Sequence, residues 1–263
     1  MIRQFLGKCG FKPLHLGIFI SGSGTDMMAV LLAYLAGSFV GMFKITVVST
    51  VEDAPGIEKA RRNGVKVIVV ARKGKKKEQF RQEVVRVIKE EGFDLVFLLG
   101  CLAYIPKVDG VEMFNIHPAD KKKYGGMGWH GLKTHLHVLV DILDDIIHYG
   151  YDFQQRYETE IVVHRAHKDG VREGEDTSEE FDVGPAFVTQ KVTIPHYMLQ
   201  KIYDNREDLK LDPEKLLLPY ADDLQKYVLR FEWGLLISAV QNAVTETIAN
   251  LEGERYLEKL RAA

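Results

Sequence analysis

Five short apolar runs, separated by helix-like segments, constrain this chain more than any other feature. Leu14 to Ile20, Lys44 to Thr50, Lys66 to Val70, Asp94 to Leu99 and Val111 to Ile116 read as strands with few polar interruptions. Between them, helical spacing begins at Thr25. Pro55 to Asn63 has proline at its start and Gly64 at its end, and Lys76 to Glu91 carries Phe80, Val84, Val85, Val87 and Ile88 on one side before Gly92. Strands that are apolar throughout must be covered on both faces, and helical connections run them parallel. The expectation is an α/β chain on an open, doubly wound, mostly parallel sheet. Past residue 120 the pattern changes. Lys121 to Gly131 reads as a basic, glycine-rich loop and Leu132 to Ile147 as a helix. Thr159 to Ala166 and Ala186 to Ile194 are strand-like, the second alternating in part as an antiparallel strand does. From Pro195 the chain reads as largely helical, with Leu224 to Leu251 a long amphipathic helix and Gly234 a candidate break. With no repeat, low-complexity tract or linker in view, a single domain over 1–263 is expected.

Composition removes several function classes. The apolar fraction of 46% is too high for a disordered chain. Lysine plus arginine number 35 against 37 aspartates and glutamates, so the net charge of −2 offers no global attraction for nucleic acid. The two cysteines, Cys9 and Cys101, lie far apart, which fits a reducing, intracellular setting, so a cytoplasmic location is expected. Met27 to Phe43 carries no charge, but Gly37, Ser38 and Gly41 interrupt it, so a buried helix ending at Gly37 is expected rather than a membrane span. Arg3, Lys8 and Lys12 are scattered through the N-terminus without an apolar core, unlike a signal peptide. His130, His135 and His137 invite a metal reading, but His135 and His137 do not share a helical face and no cysteine or carboxylate pair completes a set, so no metal is expected.

Three constellations can carry chemistry. Ser21-Gly22-Ser23-Gly24-Thr25-Asp26 lies between a strand and a helix, where glycines let backbone N–H groups approach an anion and Thr25 can cap the helix. It lacks the Gly-Lys-Ser/Thr of a P-loop, and Met27 stands where a dinucleotide fingerprint has its third glycine. A phosphate site and an ordinary tight turn both fit this spacing. Asn115-Ile116-His117-Pro118 ends a strand, so Asn115 and His117 point to one side, as an oxyanion donor and a neutral-pH proton group would. A histidine satisfied at a strand end is the plainer reading. Asp182 in Phe181 to Pro185 is either an Asx turn or a carboxylate that orients His117 or relays a proton through water.

In this order the three pieces resemble the folate-dependent formyltransferases, within them the branch that acts on glycinamide ribonucleotide. The resemblance covers roughly residues 14 to 195: the Ser21 to Thr25 loop, Ser49 to Gly56 followed by Glu58 to Arg61, Leu95 to Gly100, the intact Asn-Ile-His-Pro, Lys123 to Gly126, and Asp-x-Gly-Pro at 182–185. It implies a Rossmann-like formyltransferase fold, with an N-terminal extension over 1–13, a catalytic core over 14–195 and a helical C-terminal region over 196–263. It also implies 10-formyl-tetrahydrofolate as co-substrate and the amine of glycinamide ribonucleotide as acceptor. Asn115 and His117 would hold the oxyanion, and Asp182 would help move the amine's proton. Gly22, Ser23, Gly24 and Thr25 would hold phosphate. Leu99, Leu102, Ala103, Tyr104 and Ile105, with the loop before Asp182, would form the folate pocket. His135, Lys123 and Glu232 are further candidates.

The chain departs from the family pattern in several places. Ala119-Asp120-Lys121-Lys122 stands where the family often has Ser-Leu-Leu-Pro. Cys101-Leu102-Ala103-Tyr104 lacks the arginine often found in that segment, and Leu229 stands where many members carry a ribose-binding glutamate, with Glu232 one helical turn on. The loop from Arg165 to Phe181 is long and acidic. A different acceptor, a sugar amine or water, therefore remains an alternative, as does a binding protein without turnover. Arg72 to Lys77 reads as a solvated basic loop, and Lys121 to Lys123 as either solvated or anion-attracting. Trp129 is a lid or a packing anchor. The stripe Tyr227, Phe231, Leu235 and Ser238 is core or a subunit contact, so a homodimer is one reading of it.

Overall fold

The structure, a computed structural model, describes residues 13–39, 43–126, 128–152, 154–177 and 182–262. The 1–12 part of the expected extension with Cys9, residues 40–42 of the uncharged run, and residues 178–181 of the acidic loop lie outside the described residues.

Strand β1 (Leu14–Ile20) is buried along its whole length inside the sheet. It pairs in parallel with β2 (Phe43–Ser49) on one side and β4 (Leu95–Leu98) on the other. β3 (Lys66–Val69) lies outside β2, and β5 (Glu112–His117) lies outside β4, both parallel. β6 (Glu158–Arg165) and β7 (Ala186–Thr193) extend the sheet antiparallel, giving the order β3-β2-β1-β4-β5-β6-β7. The expected fold class is thus observed. The chain turns one way from β1 to β2 and the other way to β4, so the crevice beyond the carboxyl ends of β1 and β4 is the switch point where open α/β sheets bind ligands.

Side-chain alternation along β1 divides the core into two layers. Leu16, Ile18 and Ile20 face one cluster, shared with helix α1 (Thr25–Leu35), with α5 (Leu132–Tyr149) and with the long C-terminal helix α9 (Leu218–Ala262). Phe19 faces the other, covered by α3 (Lys77–Glu91) through Phe80, Val84 and Ile88. At the level of the crevice, register partners Phe97 and Phe114 stack with centroids 4.9 Å apart and lock β5 beside β4. Such a pair is worth about 1 kcal/mol beyond its buried area.

The remaining helices are α2 (Pro55–Arg62), α4 (Lys121–Tyr124), α6 (His196–Asp204), α7 (Arg206–Leu209) and α8 (Pro213–Leu216). Three expectations are corrected here. Gly24 is the N-cap of α1, in a left-handed conformation with φ 65°, and no side chain caps the helix, so Thr25 is its first residue and not its cap. Gly234 does not break α9, because the buried Leu235, Leu236, Ala239 and Val240 that follow it hold the helix against the core. Lys121 to Gly131 is not all loop: Asp120 accepts from the Lys122 amide at 2.9 Å and caps one turn of helix, α4. Among the described residues no helix is long and apolar enough to cross a membrane.

Candidate active site

A cleft of about 960 Å3 opens at the switch point, bounded by the carboxyl ends of β1, β4 and β5, the loop before α5, and one face of α9. That is the upper end of the range for small-molecule sites and leaves room for two substrates side by side.

Its centre is a polar cluster at the end of β5. Asn115 Nδ2 donates to Asp182 Oδ1 at 2.9 Å, and the Gly126 amide donates to Oδ2 at 3.1 Å. His117 Nδ1 lies 3.5 Å from Oδ2, and His164 Nε2 lies 3.3 Å from Oδ1. The register explains the convergence, since β5 and β6 pair Asn115 with His164. Asp182 sits at φ 58°, the one non-glycine residue with positive φ among the described residues, and is 8% exposed. A carboxylate held so against backbone preference is stored strain at a candidate site. The turn is fixed by Gly184, where any side chain would collide with the Arg165 and His167 carbonyls, and by the Arg165 amide, which donates to the Pro185 carbonyl at 2.9 Å.

The electrostatics follow. Burial would raise the Asp182 carboxyl, but His164, the His117 charge and the Gly126 amide outweigh it and hold it below the ordinary carboxylate value. Burial also dominates at His117 and lowers it below its ordinary value, against the upward pull of Asp182 and the Tyr124 carbonyl. His117 is therefore neutral near pH 7, and its Nε2 has no hydrogen-bond partner among the described residues. His135 on α5 lies at the same wall, pushed down to about 4 by burial and by His117, with its Nδ1 also unpartnered among the described residues.

One wall of the cleft is the turn from β1 into α1. The amides at the start of α1 are left open because no side chain caps it. The loop is locked by close packing: a Cβ on Gly56 would lie 2.6 Å from Ile20 Cδ1 and 3.1 Å from the Gly22 carbonyl. Lys59 Nζ donates to the Ser23 carbonyl at 2.8 Å, and Ser21 Oγ meets Thr50 Oγ1 at 2.6 Å. Lys226 and Gln225 of α9 also line the cleft.

The adjoining wall, tied to the loop by the Ser21 amide donating to the Gly100 carbonyl at 3.1 Å, is apolar and rimmed with cations. Leu99, Leu102, Tyr104 and Phe80 line it with Arg72, Lys77 and Arg81. Arg72 and Lys77 belong to the basic run expected to be merely solvated. Arg81 was not singled out by sequence; it stands one turn after Lys77 on α3, pairs with Asp176 of the acidic loop at 2.8 and 2.5 Å, and lies over the Tyr104 ring.

Other expected residues divide. Gly22, Ser23, Gly24, Thr25, His135 and Glu232 line the cleft. Ala103 and Ile105 do not: at 4% and 2% exposure they are packed beneath it in the Phe19 core layer. Lys123 turns away from the cleft to pair with Asp141 at 2.6 Å. Trp129 lines the cleft and packs edge-on to His137, with ring centroids 4.7 Å apart. Glu232 is held up to about 8 by burial and by the neighbouring Asp26 charge. His164 was missed in the sequence; the one available signal was a histidine inside the apolar run of β6. Lys121 was read only as a basic loop residue, yet its Nζ donates to the Asp182 and Gly184 carbonyls at 2.8 and 2.6 Å.

Comparison with known proteins agrees with this geometry. A chloroplastic phosphoribosylglycinamide formyltransferase of Arabidopsis thaliana is 34% identical over 131 residues, which are 47% of this chain and 44% of the relative. One from Vigna unguiculata is 31% identical over 130 residues, 48% of this chain and 41% of the relative. The chain thus matches less than half the length of either relative. Among solved structures, a phosphoribosylglycinamide formyltransferase from Brucella melitensis superposes with a TM-score of 0.60 at 22% identity, over 89% of this chain and 96% of the other. Glycinamide ribonucleotide transformylase 1 from Geobacillus kaustophilus does so at 0.59 and 20%, over 89% and 100%. Both share the fold. The family model described as formyl transferase matches residues 15–138, which hold the Ser21 to Thr25 loop, Asn115 and His117, so this stretch of the chain is similar to the formyl transferases.

Proposed function

We propose that this chain transfers a formyl group from 10-formyl-tetrahydrofolate to the primary amine of glycinamide ribonucleotide. The observation that carries the reading is the Asn115, His117 and Asp182 cluster in one cleft with an anion-ready loop and an apolar wall. The acceptor's phosphate sits at Gly22 to Thr25, and the donor's ring system lies against Leu99, Leu102 and Tyr104.

The amine nitrogen attacks the formyl carbon, and the carbonyl π electrons move to oxygen. Asn115 gives one amide hydrogen to Asp182 and keeps the second for that oxyanion. His117 Nε2, neutral and unpartnered among the described residues, takes the proton that the amine nitrogen loses. The resulting imidazolium is paired by Asp182 and becomes a second donor to the oxyanion. Collapse of the tetrahedral centre breaks the bond to N10 of the folate, which leaves with that proton. The products are formylglycinamide ribonucleotide and tetrahydrofolate.

The test supplies purified chain with both substrates and follows the formylated product. Formate release without formylated amine would move the acceptor to water. Tight binding of either substrate with no turnover would leave a binding protein. Asp182→Asn should bind both substrates and turn over about 10²-fold or more slowly, because the imidazolium loses its counter-charge.

A further inference from the structure

Three consecutive lysines follow Asp120, and they do different things. Lys123 pairs with Asp141, and Lys122 is exposed. Lys121 instead turns inward, and its ammonium bridges two backbone carbonyls, those of Asp182 and Gly184, on either side of Val183. Partial burial lowers the ammonium's pKa while the Asp182 charge holds it up. These two carbonyls flank the strained turn at φ 58° that aims the Asp182 carboxylate. The β6 side of the turn is fixed by the Arg165 amide, and Lys121 fixes the side facing α4. The same short segment reaches the cluster twice more. The Gly126 amide holds Asp182 Oδ2, and the Tyr124 carbonyl holds His117. Gly125 lets the segment fold this tightly, since a Cβ there would collide with the Lys121 carbonyl.

We propose that Lys121 is a positioning residue for formyl transfer. It clamps the Asp182 turn so that the carboxylate stays aligned on Asn115 and His117 through the reaction, and its charge favours neutral His117. The proposal rests on the transfer reading above. A methionine would fill the same space, but it would leave both carbonyls without their donor and free the turn to relax toward ordinary φ.

The test compares wild type, Lys121→Met, Lys121→Arg, Asp182→Asn and the Lys121→Met/Asp182→Asn double variant, each checked for folding by circular dichroism. Lys121→Met should lower kcat by about 10–100-fold, the scale of a misplaced catalytic group, with both KM values within about twofold of wild type. Lys121→Arg, which retains donors for two carbonyls, should recover part of the loss. In the Asp182→Asn background, assayed above the acid limb where His117 is neutral in every variant, Lys121→Met should cost nothing more, because both changes then act through one carboxylate. The acid limb of the kcat/KM profile should move to higher pH in Lys121→Met, since removing the positive charge makes His117 easier to protonate. Undiminished turnover by Lys121→Met, an additive loss in the double variant, or a loss confined to KM would overturn the assignment. Absence of formyl transfer by the wild-type chain would instead overturn the reading on which it rests.

Discussion

Asn115 and His164 are register partners across β5 and β6, and both address the same oxygen of Asp182, at 2.9 and 3.3 Å. Strand pairing therefore builds the site: the antiparallel partner of the amide supplies the second group on one carboxylate. Asn115→Ala removes the donor to Asp182 and, in the proposed reaction, the hydrogen kept for the oxyanion. Turnover should fall about 10²–10³-fold, the usual cost of one oxyanion donor. Steady-state rates at saturating donor and acceptor measure it, and a loss under about threefold, far below that cost, would separate Asn115 from the chemistry.

His117 sets the pH response of the proposed reaction. Burial holds it below its ordinary value, so the active neutral form persists to lower pH than a solvent-exposed histidine would allow. The acid limb of kcat/KM should fall below about pH 6.5, the unperturbed histidine value. His117→Ala should lose about 10²–10⁴-fold in rate and show no limb in that region. A limb that survives the substitution unchanged would assign it to another group.

Much of this was legible in the sequence, for identifiable reasons. β1 and β4 are sandwiched between two layers, so they read as unbroken apolar runs, and the loops at their ends place the cleft. Asn115 and His117 stand two apart on one strand, which fixes their common side without any tertiary information. His164 and Lys121 were not legible as site residues. Their roles come from contacts with Asp182 across 18 and 61 positions, set by strand register and a strained turn that no local pattern encodes. Ala103 and Ile105 were misplaced because the segment after Gly100 dips into the Phe19 layer, leaving only Leu102 and Tyr104 on the cleft wall. α4 was missed because a single turn of three lysines and a tyrosine has no apolar periodicity, and its cap is one aspartate.

Glu232 and Asp26 are two buried carboxyls that line the cleft, close enough for the Asp26 charge to act on Glu232. Burial pushes both up, the Asp26 charge raises Glu232 further, and a Trp233 hydrogen bond partly offsets the rise at Asp26, so Glu232 keeps its proton well above the ordinary carboxylate range. A raised folded value means the native chain holds the proton where the unfolded chain has lost it. This contribution is present at low pH and is lost as pH rises through the folded value. Glu232→Gln removes the group that must ionise. With the folded value at about 8, the variant should gain stability over wild type at about pH 8.5 and differ little at about pH 5, read as urea midpoints at the two values. An equal shift at both pH values would mean that packing, not ionisation, governs the site.

His135 acts with the opposite sign. Burial and the neighbouring His117 hold it at about 4, against about 6.5 in an unfolded chain. Between those values the unfolded chain binds the proton and the native chain does not. The stability it confers is complete above about pH 6.5 and drains away as pH falls toward 4. Full loss amounts to about 3 kcal/mol, on the order of 2 pKa units or more at 1.36 kcal/mol each. His135→Leu keeps an apolar side chain at this 1% exposed position and removes the titration. Its urea midpoint should fall less than that of wild type between about pH 7 and about pH 5, the window in which the unfolded histidine takes up its proton. Because a leucine side chain carries no charge near His117, the same variant should also shift the acid limb of any transfer activity little. A wild-type-like acid sensitivity in His135→Leu would place the acid lability elsewhere, with His167, also held at about 4 by burial and by Lys107, the next group to replace.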